Sequence, residues 1–288
     1  EVELRKVAVV TDSTAYLPYD LAKDLPIYIV PLHLIIDKTN YLDGVDILPD
    51  KFYTLQQESK IVPTTSQPSP EEFIDQFSKL VENGYDIICI VISSGISGTY
   101  FSASQASDAL PKNNIEVIDS RLTSMGMGYP ILKVAQAASQ GANLQECKQL
   151  AEKLLPNAGA IFTVSTLKYL FLGGRINSAA AFMGTLLDMK PLLELRDGKI
   201  EAMGKVRTFS KALDQLAEIF TKRAADHQNI HIGYLLAKTY EKAQILNEKI
   251  VSRISPDRIV ETVYVDISPV IGAHTGPGTL GLAYFFDD

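Results

Sequence analysis

The sequence is poor in the residues that build cross-links and metal clusters: of 288 residues, 2 are cysteine and 4 are histidine. Two cysteines, Cys89 and Cys147, cannot make a disulfide framework or a cysteine-rich zinc site. Cys89 sits inside an apolar run and reads as a small core residue. The histidines, His33, His227, His231 and His274, contain no i, i+4 pair of the kind that grips a metal from one helix face. No apolar run reaches the roughly 18 positions that span a bilayer. The opening residues, Glu1-Val2-Glu3-Leu4-Arg5-Lys6, lead into a strand-length apolar run and not into the apolar core of a secretory leader. There is no Walker loop and no G-x-G-x-x-G, so nucleotide binding is only weakly indicated. Basic charge is also short: 27 Lys and Arg against 34 Asp and Glu leave a net charge of −7. That argues against a nucleic-acid partner and provides no polybasic handle for anionic lipid. These absences point to a cytoplasmic protein without stable membrane insertion.

What the chain does have is apolar residues, 46% of the total, enough for one large or two ordinary domains at this length. Ile87-Ile88-Cys89-Ile90-Val91-Ile92 is rich in β-branched residues and reads as a strand buried on both faces. Ser93-Ser94-Gly95-Ile96-Ser97-Gly98-Thr99 follows, and then a helix of small residues over 100–110. Strand, Ser/Gly loop and helix is the arrangement that aims unpaired backbone N–H groups at an anion. Ser93, Ser94, Ser97 and Thr99 add hydroxyls, as do Thr64, Thr65 and Ser66 in a proline-fixed segment. Ser and Thr are also ordinary turn and cap residues, so any single hydroxyl has that simpler explanation.

Val7-Ala8-Val9-Val10-Thr11-Asp12 is a first buried strand, and a short helix is expected over 16–24. Residues 27–36 are apolar and extended, with Pro31 arguing for an edge strand or a bend. A second short helix covers 49–57, and 63–70 leaves no room for a regular element. Ser69-Pro70-Glu71-Glu72 carries a cap, a first-turn proline and a capping-box glutamate, and opens a helix ended by Asn83-Gly84. A strand over 115–119 and helices over 122–140 and 144–155 complete an N-terminal half of alternating strands and helices. That order implies a mostly parallel α/β sheet.

Pro156-Asn157-Ala158-Gly159 is read as a boundary, giving an N-terminal α/β domain over 1–156 and a C-terminal mixed α+β domain over 157–288. The second contains a strand over 161–164, a short helix over 167–172 that stops at Gly173-Gly174, and a helix over 177–188. Strands then flank Asp197-Gly198, a strong hairpin signal. A helix over 209–225, a strand over 230–236, a helix over 240–253 and a strand over 259–265 follow. The tail, Gly272-Ala273-His274-Thr275-Gly276-Pro277-Gly278, reads as a glycine-rich loop.

Two arginines at element ends, Arg175 and Arg207, suit a carboxylate or phosphate clamp, although most arginines are solvated surface residues. Gly95-Ile96-Ser97-Gly98-Thr99 begins like a hydrolase nucleophile elbow, but its fifth position is threonine where the motif wants glycine. The rival reading is therefore a serine hydrolase with Ser97 as nucleophile, His274 as base and Asp12 or Asp119 behind it.

Thr11-Asp12-Ser13, Thr65-Ser66-Gln67-Pro68, Ser93-Ser94-Gly95-Ile96-Ser97-Gly98-Thr99-Tyr100, Gly173-Gly174-Arg175-Ile176 and His274-Thr275-Gly276-Pro277-Gly278 occur in the order expected of the DegV family, which the chain resembles from its first strand to its end. The resemblance implies two α/β-type domains with a fatty acid between them and no cofactor. It implies a carboxylate held by Thr65 and Ser97, with Ser94 alongside, and Arg175 and His274 near the head group. Some members resemble this chain and serve as the acyl-binding subunit of bacterial fatty acid kinase. The implied partners are therefore a long-chain fatty acid such as palmitate and an ATP-binding fatty acid kinase subunit, with Arg207 on the surface that meets it. The implied role is a carrier and not a catalyst. Tunnel walls are expected from 177–187 and from the small-residue helix after Tyr100.

Overall fold

The computed structural model describes residues 5–58, 62–111, 114–185 and 189–288. The strands, in chain order, are β1 (Lys6–Asp12), β2 (Ile27–Val30), β3 (His33–Ile36), β4 (Thr39–Leu42), β5 (Thr64–Ser66), β6 (Tyr85–Val91), β7 (Ile115–Asp119), β8 (Ala158–Thr163), β9 (Lys190–Arg196), β10 (Lys199–Val206), β11 (Ile230–Leu236), β12 (Ile259–Asp266) and β13 (Leu280–Phe286). The α-helices are α1 (Tyr19–Ala22), α2 (Pro49–Glu58), α3 (Pro70–Glu82), α4 (Thr99–Asp108), α5 (Ser124–Ser139), α6 (Leu144–Leu154), α7 (Lys168–Leu172), α8 (Phe209–Arg223), α9 (Tyr240–Val251) and α10 (Pro269–Thr275).

The first sheet has the order β2-β1-β6-β7 and is parallel throughout. Its alternation is two-sided, as a sheet covered on both faces requires. Ala8, Val10, Ile87, Cys89 and Val91 pack against Phe73, Phe77 and Ala103 from α3 and α4. Val7, Val9, Ile88 and Ile90 face the other way, onto Met127, Ile131 and Val134 of α5. Ser69 accepts the Glu72 N–H while Glu72 accepts the Ser69 N–H, so the capping box that opens α3 is complete. Loss of that Ser69 side chain should cost about 1 kcal/mol.

The chain leaves this sheet through a 3-10 turn at Leu155–Asn157 and enters a six-stranded mixed sheet, β10-β9-β8-β13-β11-β12. α8 and α9 cover one face, with Leu216, Phe220, Leu246 and Ile250 packed on Ile232, Tyr234 and Leu282. The other face rests on α5 again, through Met125, Tyr129 and Leu132 against Leu235, Ala283 and Phe285. One helix is thus the shared layer between the two sheets. A small antiparallel sheet, β4-β3-β5, joins the same core through Leu32 and Leu34.

As expected, Pro31 follows an edge strand and marks a bend: β2 lies at the edge of the first sheet and β3 belongs to another, because proline cannot donate to a ladder. Other expectations are corrected. Thr64–Ser66, expected to be irregular, is a three-residue strand paired antiparallel with β3. The helix expected from residue 16 is instead a 3-10 turn at Ser13–Ala15, ended by Tyr16 at φ +44°, and the short α1. The glycine-rich tail is largely helical: Ser268 caps α10 and Pro269 begins it, before Gly276 ends it at φ +81°. β13 was not foreseen, and it lies between β8 and β11. Part of the helix and tunnel wall expected over 177–188 lies outside the described residues, and Asn177–Thr185 forms 3-10 turns.

Candidate functional site

The glycine loop leaves β6 and crosses to the far half of the molecule. Ser93 Oγ donates to the Gly198 carbonyl at 2.6 Å. A Cβ on Gly95 would stand 2.3 Å from that same oxygen, so a side chain cannot be carried there. The hairpin apex that receives the loop has Asp197 at φ +51° and Gly198 at φ +78°, the pair of left-handed residues that a two-residue hairpin turn needs. Gly98 is pressed against the Gln67 side chain, where a Cβ would sit 2.8 Å from Nε2. The two hydroxyl-bearing loops therefore touch. β5 fixes the second of them by pairing Thr65 with Leu34.

From the C-terminal half, α7 and α10 interlock. A Cβ on Gly173 would fall 2.1 Å from His274 Nδ1, and one on Gly276 would fall 2.2 Å from the Tyr169 ring. His274 Nε2 lies 2.7 Å from Thr65 Oγ1 in a hydrogen bond across 209 residues of sequence. Its Nδ1 is buried and makes no hydrogen bond among the described residues. Burial, and then the charge of Arg175, push His274 down to about 4, so the ring is neutral at pH 7. Arg175 follows Gly174, which is at φ +70°. Its Nε donates to the Ile96 carbonyl at 3.2 Å and its Nη1 to the Gly173 carbonyl.

These groups line one cavity of about 860 Å³ of empty space, part of it open to solvent. Thr65, Gln67, Ser97, Arg175 and His274 are part of its polar lining, which Ser66, Thr123, Ser124, Thr275 and Thr279 complete. Most of the remainder is aliphatic or aromatic, including Ile92, Phe162, Leu195, Ile200, Leu235 and Ile271. Arg175 is the cationic side chain of the lining, and it donates to the Ile96 and Gly173 carbonyls. The arrangement suits an elongated apolar molecule with one small anionic end.

The structure brings together Thr65, Ser97, Arg175 and His274 from four separate motifs. It does not bring Ser94, whose Oγ donates to Asp119 at 2.5 Å and whose N–H donates to the same carboxylate at 3.1 Å. Ser94 is absent from the cavity wall because Asp119 has taken its hydroxyl. Arg207 is exposed just past β10, away from the cavity lining. No hydrolase triad is assembled: Asp12 accepts from Thr14 and Ile92, Asp119 from Ser94 and Arg121, and His274 from or toward Thr65. Ser97 Oγ pairs with Thr99 Oγ1 at 2.8 Å and not with the imidazole. The other histidines have structural settings: His33 pairs with Glu72, His227 with Asp288, and His231 packs on Tyr129 and Phe285. Both cysteines are free and buried. The contributions of Gln67 and the α10 backbone escaped sequence reasoning. The Ser268-Pro269 pair was a usable helix signal for the second.

A parallel sheet and a mixed sheet that share one helix, with a largely apolar cavity that carries a few polar side chains, define the class as a two-sheet α/β protein. The DegV family model matches residues 6–287, and the chain belongs to that family. A DegV domain-containing protein of Caldanaerobacter subterraneus is 36% identical over 285 residues, 99% of this chain and 100% of that one. A solved DegV family protein from Thermus thermophilus, described for its fatty acid binding, superposes with a TM-score of 0.91 at 32% identity, over 98% of this chain and 100% of that one. DegV of Bacillus subtilis, described as a fatty acid binding protein, gives a TM-score of 0.86 at 31% identity over 98% of this chain and 100% of its own. Among the described residues no helix is long and apolar enough to cross a membrane.

Proposed function

We propose that this chain is a cytoplasmic carrier that binds one long-chain fatty acid and presents its carboxylate to a separate ATP-binding kinase subunit. The observation that carries the reading is the cavity itself, apolar along most of its wall and furnished with Thr65, Ser97, Arg175 and His274. Fatty-acid binding by solved relatives supports it. Each buried methylene contributes about 0.8 kcal/mol, so a long chain offers on the order of 10 kcal/mol gross. Much of that is offset by ordering the ligand. The tail sets affinity, and the head-group donors set which end enters.

In this reading the carboxylate replaces the Thr65–His274 hydrogen bond and takes a charge-assisted one from each hydroxyl. Arg175 neutralises it. The exposed Arg207 meets the kinase subunit. There the carboxylate oxygen attacks the γ-phosphorus of ATP, the bond to the β-phosphate breaks, and acyl-phosphate and ADP form. The carrier contributes orientation and charge and no covalent step.

Denaturing extraction of the purified protein, followed by mass spectrometry of the organic phase, tests the first half. Stoichiometric long-chain fatty acid is expected. An empty extract from a protein that also refuses added palmitate would sink the reading. Assay with activated esters addresses the hydrolase alternative: turnover that vanishes in Ser97→Ala would favour it.

A further inference from the structure

Most hydroxyls in the cavity wall already have partners. Thr65 bonds to His274, Ser97 to Thr99, Ser66 to the Gln67 carbonyl, and Thr275 and Thr279 to carbonyls of α10. Two neighbours do not. Thr123, 9% exposed, buries its Oγ1 with no hydrogen-bond partner among the described residues. Ser124, 3% exposed, has none for its hydroxyl either. Both line the cavity. They also open α5, a helix of 16 residues that no side chain caps. Ser124, Met125, Gly126 and Met127 are all buried. The first N–H groups of a helix have no partner inside it, so a buried start must find them one elsewhere. The positive end of the helix dipole strengthens their pull on an oxygen.

This end of α5 is not the head-group end of the cavity. Gly126 rests on the start of β8, where its Cβ would stand 3.4 Å from the Gly159 carbonyl. The hairpin apex, with Gly198 against Arg121, lies at the same end, because β9 pairs antiparallel with β8. From there β8 runs past Ala160 and Phe162 in the cavity wall toward α7 and Arg175. A chain whose carboxylate sits among Thr65, Arg175 and His274 therefore passes Thr123 and Ser124 with its methylenes, which offer these groups nothing.

We propose that the start of α5 is a second polar subsite of the cavity, which takes an oxygen carried part-way along the acyl chain, so that hydroxy and keto fatty acids are ligands of this protein. The inference rests on the carrier reading. A chain hydroxyl donates to Thr123 Oγ1 and accepts from the Ser124 hydroxyl or from a first-turn N–H of α5. A keto oxygen only accepts. Around this point the wall is aliphatic or aromatic, through Ile92, Phe162, Leu195 and Ile200. A hydroxyl held against those side chains loses its water without gaining a partner, which is unfavourable. The subsite therefore discriminates by position along the chain and not merely by polarity.

The test is competition between stearate and a set of hydroxystearates that differ only in where the hydroxyl stands. In the wild type one position should bind within about threefold of stearate, and positions that meet the aliphatic wall about tenfold more weakly. The keto analogue of the favoured position should share its advantage. In Thr123→Val combined with Ser124→Ala, which keeps the shape of the wall, the advantage of the favoured position over the others should fall by about tenfold. Ser124→Ala alone should remove part of it, and it keeps the test usable if the double variant fails to fold. A flat dependence on position, or an advantage that survives both substitutions, would overturn the subsite while leaving the carrier intact; the start of α5 would then be satisfied by water alone. Equal losses of stearate and of the favoured hydroxystearate in the variants would overturn it too, since the two residues would then only shape the wall. A protein that binds neither stearate nor any hydroxystearate overturns the carrier reading and the subsite with it.

Discussion

Two clusters of polar groups, one buried and one half-buried, meet on α10, and they are wired in opposite ways. Around Asp12, Ser13 and Asp43 the carboxylates are surrounded by donors already engaged, and each bond ties one segment to another. Around Thr65, Ser97, Arg175 and His274 there is no carboxylate in the cavity wall, and His274 Nδ1 has no partner among the described residues. The first cluster is closed and positions loops. The second is left open, with donors and one cation, and is suited to an anion that the protein itself does not supply. An unsatisfied buried group costs free energy, so the open cluster marks where a ligand restores the balance.

Breaking the closed cluster should have the largest effect. Asp12→Ala orphans the Ile92 and Thr14 N–H groups, whose present bonds measure 2.6 and 2.9 Å. Two stranded donors should cost about 4 kcal/mol of stability, read as a lowered midpoint in urea with an unchanged slope. A loss below about 1 kcal/mol would mean that the loop roots are held by something other than this carboxylate.

The two clusters should also answer pH with opposite signs. His274 is held below its ordinary value, at about 4. Its contribution is present above the unfolded value near 6.5 and is lost as pH falls toward 4. Asp43 is held above its ordinary value, at about 7. Its contribution is present below the unfolded value and is lost as pH rises through 7. They amount to about 3 kcal/mol for His274 and about 4 kcal/mol for Asp43 at full extent, and the two oppose each other over the acid range. His274→Gln should therefore make stability fall more steeply as pH rises from about 4 to 6.5, and Asp43→Asn should make it rise. Chemical denaturation at a series of pH values checks both, and parallel curves for the two variants would contradict the assignment.

The open cluster depends on space rather than on bonds. Gly173→Ala places a Cβ where His274 Nδ1 now lies. Overpacking of this kind should cost about 2 kcal/mol and displace the ring from Thr65. Binding of palmitate should suffer more than stability does, as titration calorimetry on the folded variant would report.

The elements that carry their own local chemistry were legible in the sequence. The Ser69 capping box and the Asp197-Gly198 hairpin satisfy their needs with neighbours in the chain, and the Ile87-to-Ile92 strand declares itself by a β-branched run bounded by a Ser/Gly loop. β13 was not legible, because Leu280-Gly281-Leu282-Ala283-Tyr284-Phe285-Phe286 is apolar throughout and only its pairing with β8 and β11 makes it a central strand. α10 was obscured by Gly272 and Gly276, although Ser268-Pro269 repeats the opening of α3. The gathering of Thr65, Ser97, Arg175 and His274 came from motif order within a family, since no spacing rule connects residues 209 apart. Asp43 precedes Gly44 as any turn aspartate would, and its burial is a tertiary fact.

The smallest effects separate the clusters within a single loop. Ser94 and Ser97 are near neighbours with similar local sequence, yet Ser94 is bound to Asp119 and Ser97 faces the cavity. Ser94→Ala removes the hydroxyl that donates to the half-buried Asp119 carboxylate and should cost about 1 kcal/mol of stability while leaving palmitate affinity within about twofold. Ser97→Ala gives up the hydroxyl contact with Thr99 and a long bond from the Thr99 N–H at 3.3 Å, and should cost no more than about 1 kcal/mol of stability while weakening palmitate about fivefold, the worth of one hydrogen bond. Measuring both quantities on both variants gives a crossed pattern if the loop is divided between holding itself in place and holding a ligand. Equal effects on both would mean that the loop acts as one unit, and that Asp119 belongs to the site after all.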